Sequence, residues 1–359
     1  MSLVIAAGGT GGHVFPALAV ASVWRAHWPQ APIYWVGVRG GREEKWVSTA
    51  GWPFYSVPVR GWQPKAFFRN LTLFYKLPRA MFFTHRLLSS LRPKVLFTTG
   101  GYPGLLPGIW GIVHKVPVVV LELNAHAGRT TRWLSRWASC VYGAFPHTQG
   151  LLPSVRYAWV GVPVRFRPSD KVRYSAEEAK KKLGFAPESP LILVLGGSQG
   201  SSALNQAVAS CVSAWVEAGA SLLWQVGGGR SDMALPAVVR QEPFIEDMVA
   251  AYTAADVVVS RAGGSTLGEL AWWGKAAVLV PSPHVAEDHQ RKNAAYWAQH
   301  NAALVVEETD NRALCEAVLS LLRREELRKQ YGQAALQLAR PDAAETLAQV
   351  LYQLAYDLS

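Results

Sequence analysis

Apolar and polar positions along the chain follow two alternating patterns. Short runs rich in Val, Ile and Leu are separated by longer stretches in which apolar residues recur at helical spacing. This alternation is typical of parallel α/β layers, in which amphipathic helices cover buried strands. The predicted strands span residues 3–7, 33–38, 95–98, 118–121 and 157–160, and then residues 191–195, 221–225, 256–259 and 277–280.

The pattern is interrupted between these two series of strands. Pro163, Pro168 and a polar cluster precede the next predicted helix, at residues 176–183. A chain of 359 residues is also long for one ordinary core, so we expect two domains. We place them at residues 1–163 and 164–340. The remaining residues, 341–359, have the pattern of an amphipathic helix.

Both series open with a strand, a glycine turn and a helix. The segment VIAAGGTGGHVFPALAVA in the first series is echoed by LVLGGSQGSSALNQAVA in the second, which is a weak internal duplication. Two such α/β domains facing each other would form a cleft along the carboxyl ends of their sheets. Open α/β folds bind ligands at that edge.

The first two glycine turns do not match common nucleotide-binding fingerprints. The turn ending at His13 has Val14 where a dinucleotide motif needs a glycine, and no acid follows the second predicted strand. The turn from Gly196 to Ser202 lacks the lysine of a P-loop. Two interpretations stay open: helix amides that attract an anion or an electron-rich oxygen, or tight turns without a ligand.

A third turn strengthens the ligand interpretation. The predicted strand at 256–259 leads into RAGGSTLGE, residues 261–269, and so places Gly264 at another helix start. Free amides there would hold a diphosphate, and the Glu269 carboxylate could accept hydrogen bonds from the two ribose hydroxyls. The alternative is that Glu269 is a solvated helix carboxylate.

Positive charge is concentrated in the first half of the chain. Residues 1–165 contain 18 Lys and Arg but only three acids, whereas the remaining residues contain 18 basic and 22 acidic residues. This asymmetry indicates an anionic partner for the first half, either a nucleic acid or a membrane surface. The three cysteines are far apart, which argues against a disulfide framework or a zinc site and fits a reducing cytoplasm.

Seven motifs occur in a fixed order: GGTGGH (8–13), GGY (100–102), ELN (122–124), GVPVR (161–165), GGSQG (196–200), RAGGSTLGE (261–269) and DHQRKNA (288–294). This ordered set resembles the MurG family of bacterial N-acetylglucosaminyltransferases. The resemblance implies an α/β chain with the GT-B fold, two Rossmann-like domains with parallel sheets facing across a deep cleft. It also implies that the last helix packs back on the first domain. The implied reaction moves GlcNAc from UDP-GlcNAc to the MurNAc 4-hydroxyl of undecaprenyl-diphospho-MurNAc-pentapeptide in peptidoglycan synthesis.

The resemblance also implies the site residues. Glu269 would bind the ribose, the amides around Gly264, Ser265 and Thr266 the diphosphate, and the Ile245 backbone the uracil. The remaining donor-binding residues would be Arg165 and Ser198 near the phosphates and His289, Gln290 and Asn293 around GlcNAc. The glycine turn, with Thr10, Gly11, Gly12 and Asn124, would meet both substrates, and His13, Tyr102 and Glu122 would meet the acceptor. The chain departs from the family where His289 precedes Gln290 and where Leu123 replaces a glutamine.

The residue types fit this chemistry independently. Inverting transfer to a hydroxyl needs a base for its proton and positive potential on the departing UDP. His13 is the candidate base, because histidine titrates near neutral pH, and Glu122 is its rival. The sequence contains no Asp-x-Asp motif that would indicate a metal site. We also expect no cofactor, because Arg165 and helix dipoles could stabilise the leaving diphosphate.

The basic first half predicts peripheral binding to an anionic membrane. Between residues 62 and 83 aromatic side chains alternate with cations, as in an interfacial anchor. The membrane residues would be Trp62, Lys65, Phe67, Phe68, Arg69, Phe74, Lys76, Arg79 and Phe82. The alternative is that most of these aromatics pack into the core of the first domain. We expect the protein at the cytoplasmic face of the cell membrane, with other cell-wall synthesis proteins as possible partners.

Three other functions are considered. Basic residues interleaved with aromatics also suit nucleic acid, but no nucleic-acid-binding module is evident, so we expect no nucleic-acid partner. A GT-B enzyme of the UDP-GlcNAc 2-epimerase type would need no lipid acceptor. A transferase that uses another lipid, such as diacylglycerol, is the third possibility.

Overall fold

A computed structural model describes residues 2–38, 40–58, 73–148, 150–151, 155–228 and 235–356. The chain divides into two compact units. The first contains Met1–Arg165 together with Arg340–Ser359, and the second contains Phe166–Ala339. The last helix therefore belongs to the first unit, although it is distant from that unit in sequence.

The first unit is built on a parallel sheet of seven strands. The strands are β1 (Leu3–Ala6), β2 (Ile33–Val38), β3 (Phe54–Val57), β4 (Val95–Thr98), β5 (Val118–Glu122), β6 (Cys140–Gly143) and β7 (Tyr157–Trp159). Along the sheet their order is β3-β2-β1-β4-β5-β6-β7, and every neighbouring pair is parallel. The central strands are almost wholly apolar because helices cover both faces of the sheet.

Helices form two layers around this sheet. One layer packs Trp24, Val47 and Leu347 into a shared core, and the other packs Leu88, Trp110 and Leu134 against the opposite face. The first layer contains α1 (Gly11–His27), α2 (Arg42–Thr49) and the C-terminal α14 (Ala343–Tyr356). The second contains α3 (Leu73–Leu91), α4 (Leu105–Val113) and α5 (Arg129–Leu134).

Arg340, where the chain returns to the first unit, packs against Trp159 and Gly161. The Arg340 guanidinium lies 3.6 Å from the centre of the Trp159 ring. Gly161 adopts a left-handed φ of +83°, and a Cβ placed there would lie only 2.4 Å from the Arg340 Cβ. The close approach of these two backbones therefore requires glycine at position 161.

The second unit contains a parallel sheet of six strands. They are β8 (Leu191–Leu195), β9 (Ser221–Gln225), β10 (Val239–Glu242), β11 (Val257–Ser260), β12 (Ala277–Leu279) and β13 (Leu304–Val305). Along the sheet their order is β10-β9-β8-β11-β12-β13. The helices are α6 (Pro168–Lys171), α7 (Ala176–Lys182), α8 (Ser202–Glu217), α9 (Met248–Ala254), α10 (Gly264–Trp273), α11 (His289–Gln299), α12 (Asn311–Arg323) and α13 (Glu325–Gln337).

These two sheets confirm the predicted α/β class. Each predicted strand is present to within about one residue at either end, but the sequence pattern missed β3, β6, β10 and β13. Across the described residues, no helix is both long enough and apolar enough to span a bilayer.

Candidate functional site

The first glycine turn joins β1 to α1 in the first unit. Gly9 has a left-handed φ of +89°, and the extended Thr10 caps the helix. The Thr10 carbonyl accepts hydrogen bonds from the N–H groups of His13 (3.1 Å) and Val14 (3.3 Å). Gly11, Gly12 and His13 thus form the first turn of α1, at the positive end of the helix dipole.

His13 is fixed by two reciprocal hydrogen bonds to Thr99, just beyond β4. Its Nδ1 lies 2.8 Å from the Thr99 carbonyl oxygen, and the Thr99 hydroxyl donates to the His13 carbonyl at 3.0 Å. Because a carbonyl can only accept, Nδ1 must carry the hydrogen. In the neutral ring Nε2 therefore holds the lone pair, and a Cβ placed at Gly101 would lie 3.6 Å from it.

Tyr102 lies beside the same turn. A Cβ placed at Gly9 would contact the Tyr102 ring at 3.4 Å. Burial and the negative charge of Glu43 raise the pKa of Tyr102, so this phenol keeps its proton at neutral pH and can donate a hydrogen bond.

Glu43 is a residue that the sequence analysis did not assign to the site. Its side chain is 2% exposed, and Oε1 accepts a hydrogen bond from the Val38 N–H at 3.2 Å. The carboxylate packs against Gly8, where a Cβ would lie 2.6 Å from Oε1. The Glu43 side chain therefore packs beneath the first glycine turn, in contact with Gly8. Glu43 is one of only three acidic residues in the basic first half of the chain, and this is the sequence signal that could have identified it.

The Glu122 carboxylate closes the loop that follows β5. Oε1 accepts hydrogen bonds from the Asn124 backbone N–H (3.1 Å) and side-chain amide (2.9 Å), and Oε2 accepts one from the Gly128 N–H (3.0 Å). The side chain is only 3% exposed. Both oxygens already hold the loop, so this arrangement suits a structural carboxylate better than a proton acceptor.

Arg165 also lies in the first unit. Its guanidinium is 4.6 Å from the centre of the Phe15 ring, on α1, and the Phe15 ring in turn lies 5.1 Å from that of Trp46. Arg165 is thereby held beside the helix whose first turn contains His13.

In the second unit, the turn after β8 depends on two left-handed glycines, Gly197 (φ +85°) and Gly200 (φ +76°). A Cβ placed at Gly200 would lie 2.6 Å from the Val226 carbonyl oxygen. Ser198 lies within this turn, and the Ser201 hydroxyl caps α8 by accepting a hydrogen bond from the Leu204 N–H.

The same serine connects this turn to the end of β11. The buried Arg261 donates to the Ser201 hydroxyl through Nε at 3.2 Å and to the Val280 carbonyl through Nη1 at 2.9 Å, and it forms an ion pair with Glu308. The two glycine turns of the second unit are therefore joined by a buried cation.

The third turn leads from β11 into α10. Gly263 caps this helix without a side-chain hydrogen bond, and Gly264, Ser265 and Thr266 form its first turn. Further along α10, Oε2 of Glu269 accepts a hydrogen bond of 2.9 Å from the hydroxyl of Tyr252 on α9. The turn and the carboxylate thus lie on one helix, as the proposed diphosphate and ribose contacts require.

Three predicted sugar-binding residues lie on α11. Nδ2 of the fully buried Asn293 donates to the Ala262 carbonyl at 3.0 Å, so Asn293 holds the loop before α10. Oε1 of Gln290 accepts from the Ser282 N–H at 2.8 Å. Nδ1 of His289 donates to the Ala286 carbonyl at 2.7 Å, because a carbonyl can only accept. Among the described residues, no group of three His, Cys, Asp or Glu side chains is placed to hold a metal ion.

The predicted membrane segment is described only in part. Trp62, Lys65, Phe67, Phe68 and Arg69 lie outside the described residues, and Phe74 and Lys76 fall in the first turn of α3, where only the backbone is described. The rest of α3 presents a set of large exposed apolar side chains with Arg79, whose guanidinium lies 5.6 Å from the centre of the Phe83 ring. This set is Leu77, Met81, Phe82 and Phe83.

Family models match both halves of the chain. The model of the glycosyltransferase family 28 N-terminal domain matches residues 3–143, and that of the glycosyltransferase family 28 C-terminal domain matches residues 191–347. The two models thus cover the sheet of the first unit as far as β6 and most of the second unit.

Curated relatives match the chain over nearly its whole length. Proteins of Phocaeicola vulgatus (32% identical, 99% of this chain and 96% of the relative), Salinibacter ruber (35%, 98% and 96%) and Rippkaea orientalis (36%, 96% and 96%) are similar to it. All three are named UDP-N-acetylglucosamine–N-acetylmuramyl-(pentapeptide) pyrophosphoryl-undecaprenol N-acetylglucosamine transferase.

Solved structures also match the chain over nearly its whole length. The crystal structure of Acinetobacter baumannii MurG is 28% identical, with a TM-score of 0.75 over 98% of this chain and 99% of that one. The calicheamicin glycosyltransferase CalG4 is 16% identical, with a TM-score of 0.65 over 98% of both chains, and this likeness concerns the fold alone.

Proposed function

The chain belongs to the MurG family of glycosyltransferase family 28 and has its GT-B fold, and from this premise we propose that it transfers GlcNAc from UDP-GlcNAc to lipid-linked MurNAc-pentapeptide. One observation carries the proposal: relatives named for this transfer are 32–36% identical over 96–99% of the chain. The chain is thus a hexosyltransferase of peptidoglycan synthesis, and its products are UDP and the lipid-linked disaccharide.

The proposed reaction is a single inverting displacement. The MurNAc 4-oxygen forms a bond to C1 of GlcNAc while the bond from C1 to the diphosphate oxygen breaks and UDP departs with its electron pair. Nε2 of His13 accepts the hydroxyl proton. The hydrogen bond from Nδ1 to Thr99 supports this role, because it leaves the lone pair on Nε2.

The remaining acceptor contacts are proposed around the first glycine turn. Thr10, Gly11 and Gly12 supply the backbone of the turn, and Tyr102 donates its phenolic hydrogen. Glu122 acts through Asn124, because its carboxylate holds the Asn124 backbone and side chain. The packing of Glu122 therefore favours His13 as the base.

The proposed donor contacts lie mainly in the second unit. Glu269 accepts hydrogen bonds from the ribose, the Ile245 backbone meets the uracil, and Ser198 lies near the phosphates with the first-turn amides of α10. Positive potential from these amides and from Arg165 would stabilise the departing UDP, so the proposed reaction calls for no cofactor. His289 and Gln290 would contact GlcNAc, while Asn293 holds the adjoining loop.

We also propose that the protein works at an anionic membrane surface, on its cytoplasmic face. The acceptor carries a polyprenyl chain, and the exposed apolar side chains of α3 lie beside Arg79 in the strongly basic half of the chain. Interfacial binding needs both features. Other cell-wall synthesis proteins are proposed neighbours at this surface.

The reaction is tested with UDP-GlcNAc labelled in the sugar, with and without a short-chain lipid-linked MurNAc-pentapeptide. We expect the label to enter the lipid, and UDP to be released, only when the acceptor is present. Release of UDP with free or isomerised sugar in the absence of acceptor would favour the epimerase type. Transfer to diacylglycerol in place of the MurNAc lipid would overturn the proposed acceptor.

A further inference from the structure

A cavity of about 340 Å³ lies in the second unit, at the edge of the sheet opposite the glycine turns. It is lined by the loops that precede β11 and β12 and by one face of α13. The two strands are parallel, so their amino ends share this edge, whereas the turn at Gly264 follows the carboxyl end of β11. The charged lining residues are Asp256, Lys275, Glu325, Arg328 and Lys329.

Helix α13 packs tightly against the loop before β12. A Cβ placed at Gly332 would lie 2.5 Å from the Gly274 carbonyl oxygen, and a Cβ placed at Gly274 would lie 2.6 Å from Cγ of Leu336. The two backbones can meet because neither residue has a side chain. Arg328 lies four positions before Gly332, on the same face of the helix, and is therefore held near Lys275, the residue after Gly274.

The two acidic residues of the cavity are already paired. Oδ2 of Asp256 lies 2.8 Å from Nζ of the buried Lys180. Oε1 of Glu325 lies 2.9 Å from Nζ of Lys329. These acids therefore do not balance the charge of the other two cations that line the cavity.

Arg328 offers hydrogen-bond donors to an anion in the cavity. Its Nη1 donates to the carbonyls of Leu321 (2.6 Å) and Leu322 (2.8 Å), near the end of α12. Within the described part of the chain, Nε and Nη2 have no hydrogen-bond partner and no carboxylate pairs with this guanidinium. A carboxylate could therefore bind to Nε and Nη2 through two parallel hydrogen bonds.

Lys275 is the second cation, and its amine has unusual chemistry. Nζ of this partly buried side chain donates to the Ala255 carbonyl at 2.8 Å, and among the described residues no carboxylate forms an ion pair with it. Burial lowers the pKa of Lys275 to about 8, with a smaller rise from Asp256 and a smaller lowering by Lys180. Much of this amine is therefore neutral at mildly alkaline pH, whereas an exposed lysine stays protonated. A neutral amine that donates one hydrogen to a carbonyl keeps its lone pair for an electrophile.

We propose that Lys275 is a site of reversible carbamylation by carbon dioxide and that Arg328 binds the carboxylate of the carbamate. The Nζ lone pair forms a bond to the carbon of carbon dioxide, one carbon–oxygen π pair moves onto oxygen, and a proton leaves Nζ for the solvent. The carbamate nitrogen keeps one hydrogen for the Ala255 carbonyl. Its carboxylate replaces a positive charge by a negative one beside the Arg328 guanidinium, and so links the loop before β12 to α13.

The test exposes the full chain to isotopically labelled carbon dioxide, traps carbamates with a trialkyloxonium reagent and locates the label by peptide mass spectrometry. We expect label on Lys275, with an occupancy that rises as the pH is raised through about 8 at constant carbon dioxide pressure, because only the neutral amine reacts. Arg328→Met should lower the occupancy about tenfold, as loss of a charge-assisted hydrogen bond typically does. Arg328→Lys keeps the charge and should recover part of the occupancy.

Substitutions of lysine identify the modified amine. Lys275→Met removes the amine and should abolish the label at this position. Lys181→Met, at an exposed position of α7, is the matched control and should leave the label on Lys275 unchanged. If Lys275→Met does not fold, Lys275→Arg replaces it, because a guanidinium keeps the positive charge and a donor for the Ala255 carbonyl but forms no carbamate.

The inference is overturned if the folded, unaltered chain carries no label at Lys275 when the pH is above the pKa of its amine. Label spread evenly over exposed lysines such as Lys181, with no excess at Lys275, would also overturn it. Equal occupancy in the unaltered chain and in folded Arg328→Met would contradict the role of Arg328. The readout is the trapped carbamate rather than sugar transfer, so the result is independent of the proposed function.

Discussion

At the scale of single residues, His13 carries the most specific chemical expectation. Its Nδ1 is held by the Thr99 carbonyl at 2.8 Å, so Nε2 is the nitrogen that can accept a proton. We expect His13→Ala to lower kcat by about 10²- to 10⁴-fold, the usual contribution of a general base, without weakening UDP binding. Steady-state kinetics with saturating acceptor, together with UDP titration, measures both quantities.

Thr99→Val provides the control for this prediction. It removes the hydroxyl that bonds to the His13 carbonyl but keeps the carbonyl that holds Nδ1, so turnover should fall much less than in His13→Ala. Near-normal turnover by His13→Ala at saturating acceptor would contradict the assignment of His13 as the base and would leave water or another group in that role.

Tyr252 provides a second test at this scale, on the donor side. Its hydroxyl donates to Oε2 of Glu269 at 2.9 Å, and its fully buried ring packs 6.0 Å from that of Trp273. Tyr252→Phe deletes the donor alone. We expect KM for UDP-GlcNAc to rise about fivefold, since one hydrogen bond to a carboxylate is worth roughly 1 kcal/mol or more, with kcat little changed.

A double-mutant cycle distinguishes orientation of Glu269 from a general effect on stability. Glu269→Ala should raise the donor KM more strongly than Tyr252→Phe, and adding Tyr252→Phe to it should then have no further effect. Tyr174→Phe, which removes an exposed hydroxyl that contacts Lys182, is the matched control. Additive effects of the two changes would show that Tyr252 does not act through Glu269.

At the scale of elements, the turn between β8 and α8 depends on Gly200. Its φ of +76° is left-handed, and a Cβ would lie 2.6 Å from a backbone oxygen, that of Val226. We expect Gly200→Ala to lower the free energy of unfolding by about 1–3 kcal/mol and to raise KM for UDP-GlcNAc. Denaturant unfolding and donor kinetics measure the two effects.

Gly228→Ala is the control for this turn. Gly228 is in the loop after β9, next to Gly227, which contacts Gly200. A Cβ placed at Gly228 would meet no atom within 4 Å. Its stability and donor KM should stay near those of the unaltered chain. Equal stability of Gly200→Ala and Gly228→Ala would refute the claim that the left-handed turn requires glycine.

The elements also show what the sequence could and could not predict. Strands such as β8 (LILVL) are buried on both faces and appear as continuous apolar runs, so their pattern predicts them. The edge strand β10 reads VRQE and β13 has two residues, so neither has a recognisable apolar pattern. Edge strands have only one paired neighbour and need less burial, which explains why these were missed.

Prediction of the site from the sequence is limited in the same way, to features that a local pattern can show. Glycine turns and the helix carboxylate Glu269 are local in sequence, so motif spacing could indicate them. The side chain of Gln225, at the end of β9, bonds to the backbone of Gly197 and of Ile245, which are 28 and 20 residues away. The side chain of Glu43 is buried against Gly8. These contacts arise from the order of strands in the sheet, which no local pattern encodes.

At the scale of the whole molecule, the uneven charge has a structural counterpart. The first 165 residues hold 18 Lys and Arg against three acids, and in the same unit α3 exposes Phe82 by 61% and Met81 by 48%. Clustered exposed apolar side chains are uncommon on soluble surfaces and often mark an interaction site. Cations around them favour anionic lipid over a neutral partner.

We therefore expect Met81→Ser combined with Phe82→Ser to reduce flotation with anionic liposomes by about tenfold or more, since burial of each apolar side chain is worth roughly 1.5–3 kcal/mol. Activity on acceptor embedded in vesicles should fall in parallel, whereas activity on a water-soluble short-chain acceptor should not.

Val172→Ser, at an 83% exposed position in the second unit, is the control. Flotation that depends neither on anionic lipid content nor on the paired serine substitutions would contradict membrane binding through α3. Charge reversal at Lys65 and Arg69 extends the test to the predicted segment outside the described residues.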